Sequence, residues 1–212
     1  MKTLTQIRYI WKPIIFAASL APALWVIGDL FEITGTLGAN PIEAMLDRFG
    51  VWGLRFIMLT LAITPLRRLT GWNWLLRFRR MFGLFTFFYV LLHFLTYAIL
   101  DRGMLPSADI IGVVLPSILE DIVERPFITI GFAALLMLIA MAITSTSAMR
   151  RRMGRKWDIL HFSAYLVALL GVWHFWWQVK SDIREPLLYA VILAVLLGLR
   201  LWWRWQRRQS TR

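Results

Sequence analysis

The chain has three histidines, His93, His161 and His174, and all three fall inside long apolar runs. An ionisable side chain within a membrane-spanning segment is rare and marks a functional position by default. A lone intramembrane histidine is often only an interhelical hydrogen-bonding group; three of them, with none in the polar stretches, weaken that reading. His93 lies seven residues before Leu100 and His174 six before Lys180, each near the end of its run. With both runs helical and crossing in the same direction, a rise of ~1.5 Å per residue puts both imidazoles about 10 Å below the same surface. Two imidazoles at one depth on neighbouring helices can fill the two axial positions of a haem iron. Bis-histidine ligation leaves no open position and suits electron transfer rather than oxygen binding. Zinc wants three or four ligands, and no other His, Asp or Glu shares that depth.

His161 sits 13 residues before His174, about 20 Å lower along the same helix. A second haem there would need a partner near residues 79–81, which are Arg79, Arg80 and Met81. Methionine can be an axial ligand, so Met81 is the candidate. The other readings of His161 are a contact to a flavin or quinone, or a plain hydrogen bond. Arg55 is the one cation deep in an apolar run, near the depth of His93 and His174. It could pair with a haem propionate, or simply snorkel to the interface. Trp173, Phe175, Trp176 and Trp177 surround His174; the tryptophans read mainly as an interfacial belt, with a minority of the aromatics left to pack on a porphyrin. Thr144, Ser145, Thr146 and Ser147 read as satisfying the terminal carbonyls of a helix.

The elements that must carry these residues are six apolar segments, approximately 13–31, 51–66, 81–100, 127–149, 159–179 and 186–205. The expected fold is an all-α integral membrane protein, a bundle of six transmembrane helices in one domain over 1–212. Residues 110–119 are apolar but too short to span, and Pro116 interrupts them, which suggests an interfacial piece of a loop. The basic residues alternate across the six spans. Eighteen lysines and arginines fall on one side and five on the other, while the second side carries ten of the acids. Basic residues mark the cytoplasmic side, so both termini are expected in the cytoplasm. No cleavage pattern follows the first run, so no signal peptide is expected, and no internal repeat is evident.

Composition agrees. Of 212 residues, 59% are hydrophobic and only 17% charged, and the mean hydropathy is +0.63. Soluble domains carry roughly a quarter charged residues, so a soluble enzyme and a disordered chain are both excluded. The absence of cysteine excludes a disulfide scaffold, a thiol nucleophile, a thiolate-bound iron–sulfur cluster and a cysteine zinc site. The net charge of +12 is a topology signal rather than a nucleic-acid signal.

At these residues the chain resembles a known family. The stretches are LGANP (37–41), LRFIMLTLAITPLRR (54–68), RRMFGLFTFFYVLLHFLTYAILDRG (79–103), ERPFITIGF (124–132) and AITSTSAMRRRMGRKWDILHFSAYLVALLGVWHFWWQVK (142–180). They are similar to the haem-binding membrane subunit of the bacterial periplasmic protein-methionine-sulfoxide reductase system, the MsrQ (formerly YedZ) family of the ferric-reductase-like transmembrane group. The resemblance covers most of the chain. It implies a haem b subunit of the inner membrane that passes electrons outward to a periplasmic molybdopterin-dependent methionine sulfoxide reductase catalytic subunit, for repair of oxidised proteins. The donor it implies is the quinone pool or a cytosolic flavin reductase, and FMN is a further implied cofactor with no site assigned. His93 and His174 match the family's ligand positions, and His161 its third histidine. Oxidase-like relatives have four histidines and two haems. The missing fourth histidine leaves one haem expected here and a second open, and only a short basic tail stands where those relatives carry a nucleotide-binding domain. The chain is thus expected to be a non-catalytic electron-transfer subunit. The outer stretches 32–50 and 101–125 are expected to dock the partner; the basic loops 77–80 and 150–156 could hold an FMN phosphate or a donor protein, and membrane-surface topology explains them equally well.

Two other readings compete. A transmembrane ferric or other metal reductase would use the same haem with Fe(III) as acceptor. A proton or ion transporter would use the histidines and Arg55 as relays, but more often shows acids at mid-membrane and Gly/Pro-broken paired helices. An assembly factor would leave the histidines unexplained.

Overall fold

The computed structural model describes residues 4–102, 112, 114–179 and 182–209. Six helices are long and apolar enough to cross a membrane: α1 (Leu4–Leu30), α2 (Pro41–Thr70), α3 (Arg79–Asp101), α5 (Pro126–Ile143), α7 (Arg155–Gln178) and α8 (Arg184–Gln209). Two shorter helices lie between them, α4 (Leu115–Glu124) before α5 and α6 (Ser147–Met153) after it. No strand occurs among the described residues. The six spans come in the expected order.

The second span begins ten residues earlier than the expected 51–66. Hydropathy falls off where Glu43, Asp47 and Arg48 begin, but the helix continues to a cap. The Asn40 side chain accepts from the Glu43 N–H at 3.3 Å, and Pro41 occupies the first turn, where its missing N–H costs nothing. At its other end Gly71, with φ 74°, closes the helix in the left-handed conformation. Thirty residues make α2 about 45 Å long, longer than the ~30 Å hydrocarbon core. The fourth span is shorter than the expected 127–149 and ends at Ile143. Thr144 returns its hydroxyl to the Ala140 carbonyl at 2.7 Å, as expected, whereas the Thr146 side chain accepts from the Met149 N–H and caps α6. Pro116 opens α4 in its first turn rather than breaking a segment. The part of 110–119 made of Ile110, Ile111 and Val113 lies outside the described residues, as do Lys2, Asp109, Lys180 and Arg212 of the charge argument.

Four helices form the centre. α2 packs along α3, α3 on α5, α5 along α7, and α7 back on α2. α1 covers α2 and α3 from one side, and α8 covers α2 and α7 from the other. Under α1 the core is aromatic: Phe49, Phe56, Phe85 and Tyr89 are buried against Ala23 and Val26. The Tyr89 hydroxyl donates to the Ser19 carbonyl at 2.7 Å and accepts from the Ala23 N–H at 3.1 Å. That carbonyl and that N–H belong to the same turn of α1, beside Pro22, so one Tyr89 hydroxyl ties α3 to both. Under α8 the core is aliphatic, with Leu54, Leu61, Ala168 and Leu193. Large apolar side chains on the outside, such as Trp25, Leu188 and Val195, are exposed to whatever surrounds the bundle, as lipid-facing residues must be.

Candidate functional site

α3 and α7 bring the His93 and His174 rings together, perpendicular to one another. Their ring centroids are 6.1 Å apart and their planes 87° apart. Each ring is tied back by the same device. His93 Nδ1 lies 2.8 Å from the Leu46 carbonyl on α2, and His174 Nδ1 lies 2.7 Å from the Phe127 carbonyl at the start of α5. A carbonyl only accepts, so each Nδ1 carries the proton and Nε2 is left with a free lone pair.

Room for the rings is made by glycine. Gly50, four residues after Leu46, faces His93; a Cβ there would lie 3.0 Å from Nδ1. Gly131, four residues after Phe127, faces His174; a Cβ there would lie 2.9 Å from both Nδ1 and Cε1. The acceptor, the glycine and the histidine thus form two equivalent sets. Leu46, Gly50 and His93 each stand 81 residues before Phe127, Gly131 and His174. The α2–α3 and α5–α7 hairpins are two copies of one arrangement, related about the histidine pair.

Between the four helices lies a cavity of about 560 Å³, within the usual range for a cofactor site. Its deep part is apolar, with Ile57, Leu135, Leu138 and Val167; its mouth is polar, with Asn40, Glu43, Asp47, Asp101, Arg125 and Gln178. No group of three or more His, Cys, Asp or Glu able to hold a metal occurs among the described residues. The two imidazoles can therefore supply two coordination positions and no more, and the others must come from the ligand itself. His93 and His174 would hold an iron through Nε2, the nitrogen each ring leaves free of its backbone carbonyl. The apolar depth and polar mouth suit a cofactor with one apolar and one polar edge, and the two imidazoles suit its metal.

The other sequence-derived residues lie elsewhere. Arg55 points away from the pair, its Nε 3.0 Å from the Tyr189 hydroxyl of α8 and its guanidinium 4.6 Å from the centroid of the Trp52 ring; it does not line the cavity. His161 lies at the basic end of α7, stacked on Trp157 at 3.8 Å and 3.3 Å from the Thr144 hydroxyl. It lines a second, smaller cavity of about 270 Å³ with Arg79, Arg80, Ser145 and Asp158. Arg80 stands 81 residues before His161, where the repeat would place its counterpart. Met81 does not line that cavity; it packs on the Ile7, Ile63 and Phe78 cluster. Of the aromatics near His174, Phe175 lines the larger cavity, while Trp173, Trp176 and Trp177 are exposed. Sequence reasoning missed the two carbonyls, the two glycines and Arg125 as a lining cation. The recurring offset of 81 between Gly50–His93 and Gly131–His174 was the signal that could have found the glycines.

Comparison with known proteins places this architecture. The family described as "Ferric reductase like transmembrane component" matches residues 49–172. A "Protein-methionine-sulfoxide reductase heme-binding subunit MsrQ" of Ralstonia nicotianae is 47% identical over 195 residues, covering 91% of this chain and 85% of the relative. Proteins of the same description from Xanthomonas axonopodis pv. citri and Herminiimonas arsenicoxydans are 47% and 46% identical. Both alignments cover 94% of this chain, and 89% and 88% of those relatives. No solved structure matches the chain.

Proposed function

Because the chain belongs to the MsrQ family of haem-binding subunits, within the ferric-reductase-like transmembrane group, we propose that it holds one haem b between His93 and His174 and passes electrons across the bacterial inner membrane. The observation that carries this reading is the pair of imidazoles 6.1 Å apart, each with Nδ1 tied to a backbone carbonyl. Bound there, haem supplies a one-electron couple. The Leu46 and Phe127 carbonyls hold both rings in one tautomer and orientation. With His93 and His174 as its two protein ligands, the haem would be suited to electron transfer rather than to binding oxygen. Ile57, Leu135 and Leu138 keep water from the deep edge, and the polar mouth faces the acidic end of the bundle.

The basic end, with Arg67, Arg68, Arg150, Arg151 and Arg152, is assigned to the cytoplasm by the distribution of basic residues, and both termini with it. The haem then lies near the periplasmic face. The acceptor is a periplasmic molybdopterin-dependent methionine sulfoxide reductase, and the activity of this chain is electron delivery rather than sulfoxide chemistry. The donor is the quinone pool or a cytosolic flavin reductase. The second cavity, lined by His161 with Arg79 and Arg80, is the place for a donor contact or an FMN phosphate at that face. The whole chain acts as one transmembrane domain.

The test is vectorial electron transfer. In proteoliposomes carrying a reductant inside, the wild-type chain should reduce a membrane-impermeant oxidant outside, and His93→Ala and His174→Ala should each abolish this. Equal rates in wild-type and both variants would refute the proposal. The match to the ferric reductase group favours a second acceptor, Fe(III) at the same haem; reduction of an Fe(III) chelate faster than of the sulfoxide reductase would favour it.

A further inference from the structure

We infer that Arg125 receives the carboxylates of the bound haem, and that Asp121 is the residue that positions it. The inference rests on the haem reading above. Held between His93 on α3 and His174 on α7, a haem would have one edge toward the deep cavity and the other toward the mouth. The deep lining offers Ile57, Leu135 and Leu138, and an unpaired carboxylate buried among them would cost far more than binding returns. The propionate edge therefore faces the mouth. There the described lining includes three carboxylates, Glu43, Asp47 and Asp101, and one cation, Arg125. A dianionic edge beside three acids is repelled unless that cation meets it.

Arg125 is placed for this. It immediately precedes α5, two residues before Phe127, whose carbonyl holds His174. The guanidinium and one axial imidazole are thus referred to the same helix start. Its Nε lies 3.2 Å from Asp121 Oδ1, which occupies one of five donors and leaves the fork available for a carboxylate. Asp121 is 4% exposed. Its Oδ2 also accepts from the Tyr97 hydroxyl and from Arg102, so it is fixed by α3 as well as by α4. Arg55, the other arginine of matching depth, is engaged by Tyr189 and Trp52 on the far face of α2.

The test compares haem with its dimethyl ester, which caps both propionates and keeps the ring and iron. The full chain, made under haem starvation and purified in detergent, is titrated with each ligand, and the affinity ratio is read within each variant. The ratio is internal to one protein, so a partly destabilised variant still reports it. Wild-type should prefer haem. Arg125→Gln and Arg125→Met should weaken haem roughly tenfold or more, as expected for a charge-assisted pair, and leave the ester within about twofold. Asp121→Asn should shrink the same preference, while Arg55→Gln should leave it intact. A purely structural role would weaken both ligands alike and overturn the inference. So would equal binding of haem and ester by wild-type, or a preference lost at Arg55 instead. His93→Ala and His174→Ala separate the two levels. If they weaken neither ligand, the haem reading itself fails; if they weaken both while Arg125→Gln does not discriminate, only this inference fails.

Discussion

At the scale of single residues, the site is defined by what holds the two imidazoles rather than by the imidazoles alone. A methyl at Gly50 or Gly131 would lie within 3.0 Å of a ring nitrogen, a contact the packed interior cannot relieve without moving the ring or the helix. Gly50→Ala and Gly131→Ala are each expected to cost about 1–3 kcal/mol of overpacking and to lower haem content in purified protein. In a His174→Ala background, Gly131→Ala should cost nothing further, because the ring it collides with is gone; the same holds for Gly50→Ala with His93→Ala. Thermal unfolding of the four chains in detergent checks this, and a persistent loss in the double variants would mean the glycines serve helix packing instead. Gly198→Ala, with open space around it, is the control. The histidine pair was legible in the sequence because depth follows from counting residues along a helix. Arg55 shows where counting stops. Its depth matches, but at about 100° per residue it faces a different direction from its neighbour Leu54, which lines the cavity. Azimuth depends on how helices pack, and two of the groups that hold the histidines are backbone carbonyls, which no residue type announces.

At the scale of elements, the limits of each helix are set by capping rather than by hydropathy. Asn40 and Gly71 bound α2 well beyond its apolar stretch, and those extra turns carry Asp47 and Glu43 to the cavity mouth. This is why a hydropathy reading finds the number and order of spans but misplaces their ends. α1 is joined to α3 through Tyr89, wholly buried and hydrogen-bonded to the Ser19 carbonyl and the Ala23 N–H of one turn. Tyr89→Phe should leave Ser19 carbonyl and Ala23 N–H without that bridge and destabilise the bundle by about 1–3 kcal/mol, with haem spectra unchanged in the protein that folds. Thermal unfolding against the absorption spectrum separates the two effects. On α7, His161 is bound to the end of α5 through Thr144 and Trp157. His161→Ala is expected to slow reduction by a quinol or reduced flavin in stopped-flow more than it lowers the His93/His174 haem signal. Loss of half of a two-haem stoichiometry would instead make His161 an axial ligand.

At the scale of the whole molecule, two hairpins 81 residues apart enclose one cavity, with α1 and α8 as outer covers. Each hairpin contributes one imidazole, one acceptor carbonyl and one glycine. The repeat escaped a reading for similar stretches because the equivalent positions share geometry more than residue type: Leu46 matches Phe127, and Arg80 matches His161. The charges are also arranged at this scale. On the acidic end, Arg48 is paired with Asp29, Arg102 and Arg125 with Asp121, and Arg184 with Asp182, while Glu43, Asp47, Asp101, Glu120 and Glu124 are exposed. Complementary charge steers association, so a partner docking over the cavity mouth should present a basic face. Lysine substitutions at Glu120 and Glu124 are expected to weaken co-purification of the periplasmic reductase, more so at low salt, without changing haem content. An effect from basic-end substitutions alone would place the partner on the wrong face.

The account stands or falls on two protein ligands to one iron, and low-temperature electron paramagnetic resonance of the oxidised protein reads that directly. With imidazole planes 87° apart, wild-type should give a highly anisotropic low-spin signal with a single dominant large g value. His93→Ala and His174→Ala should each replace it with a high-spin signal or no haem at all. The same low-spin signal surviving in either variant would contradict the assignment.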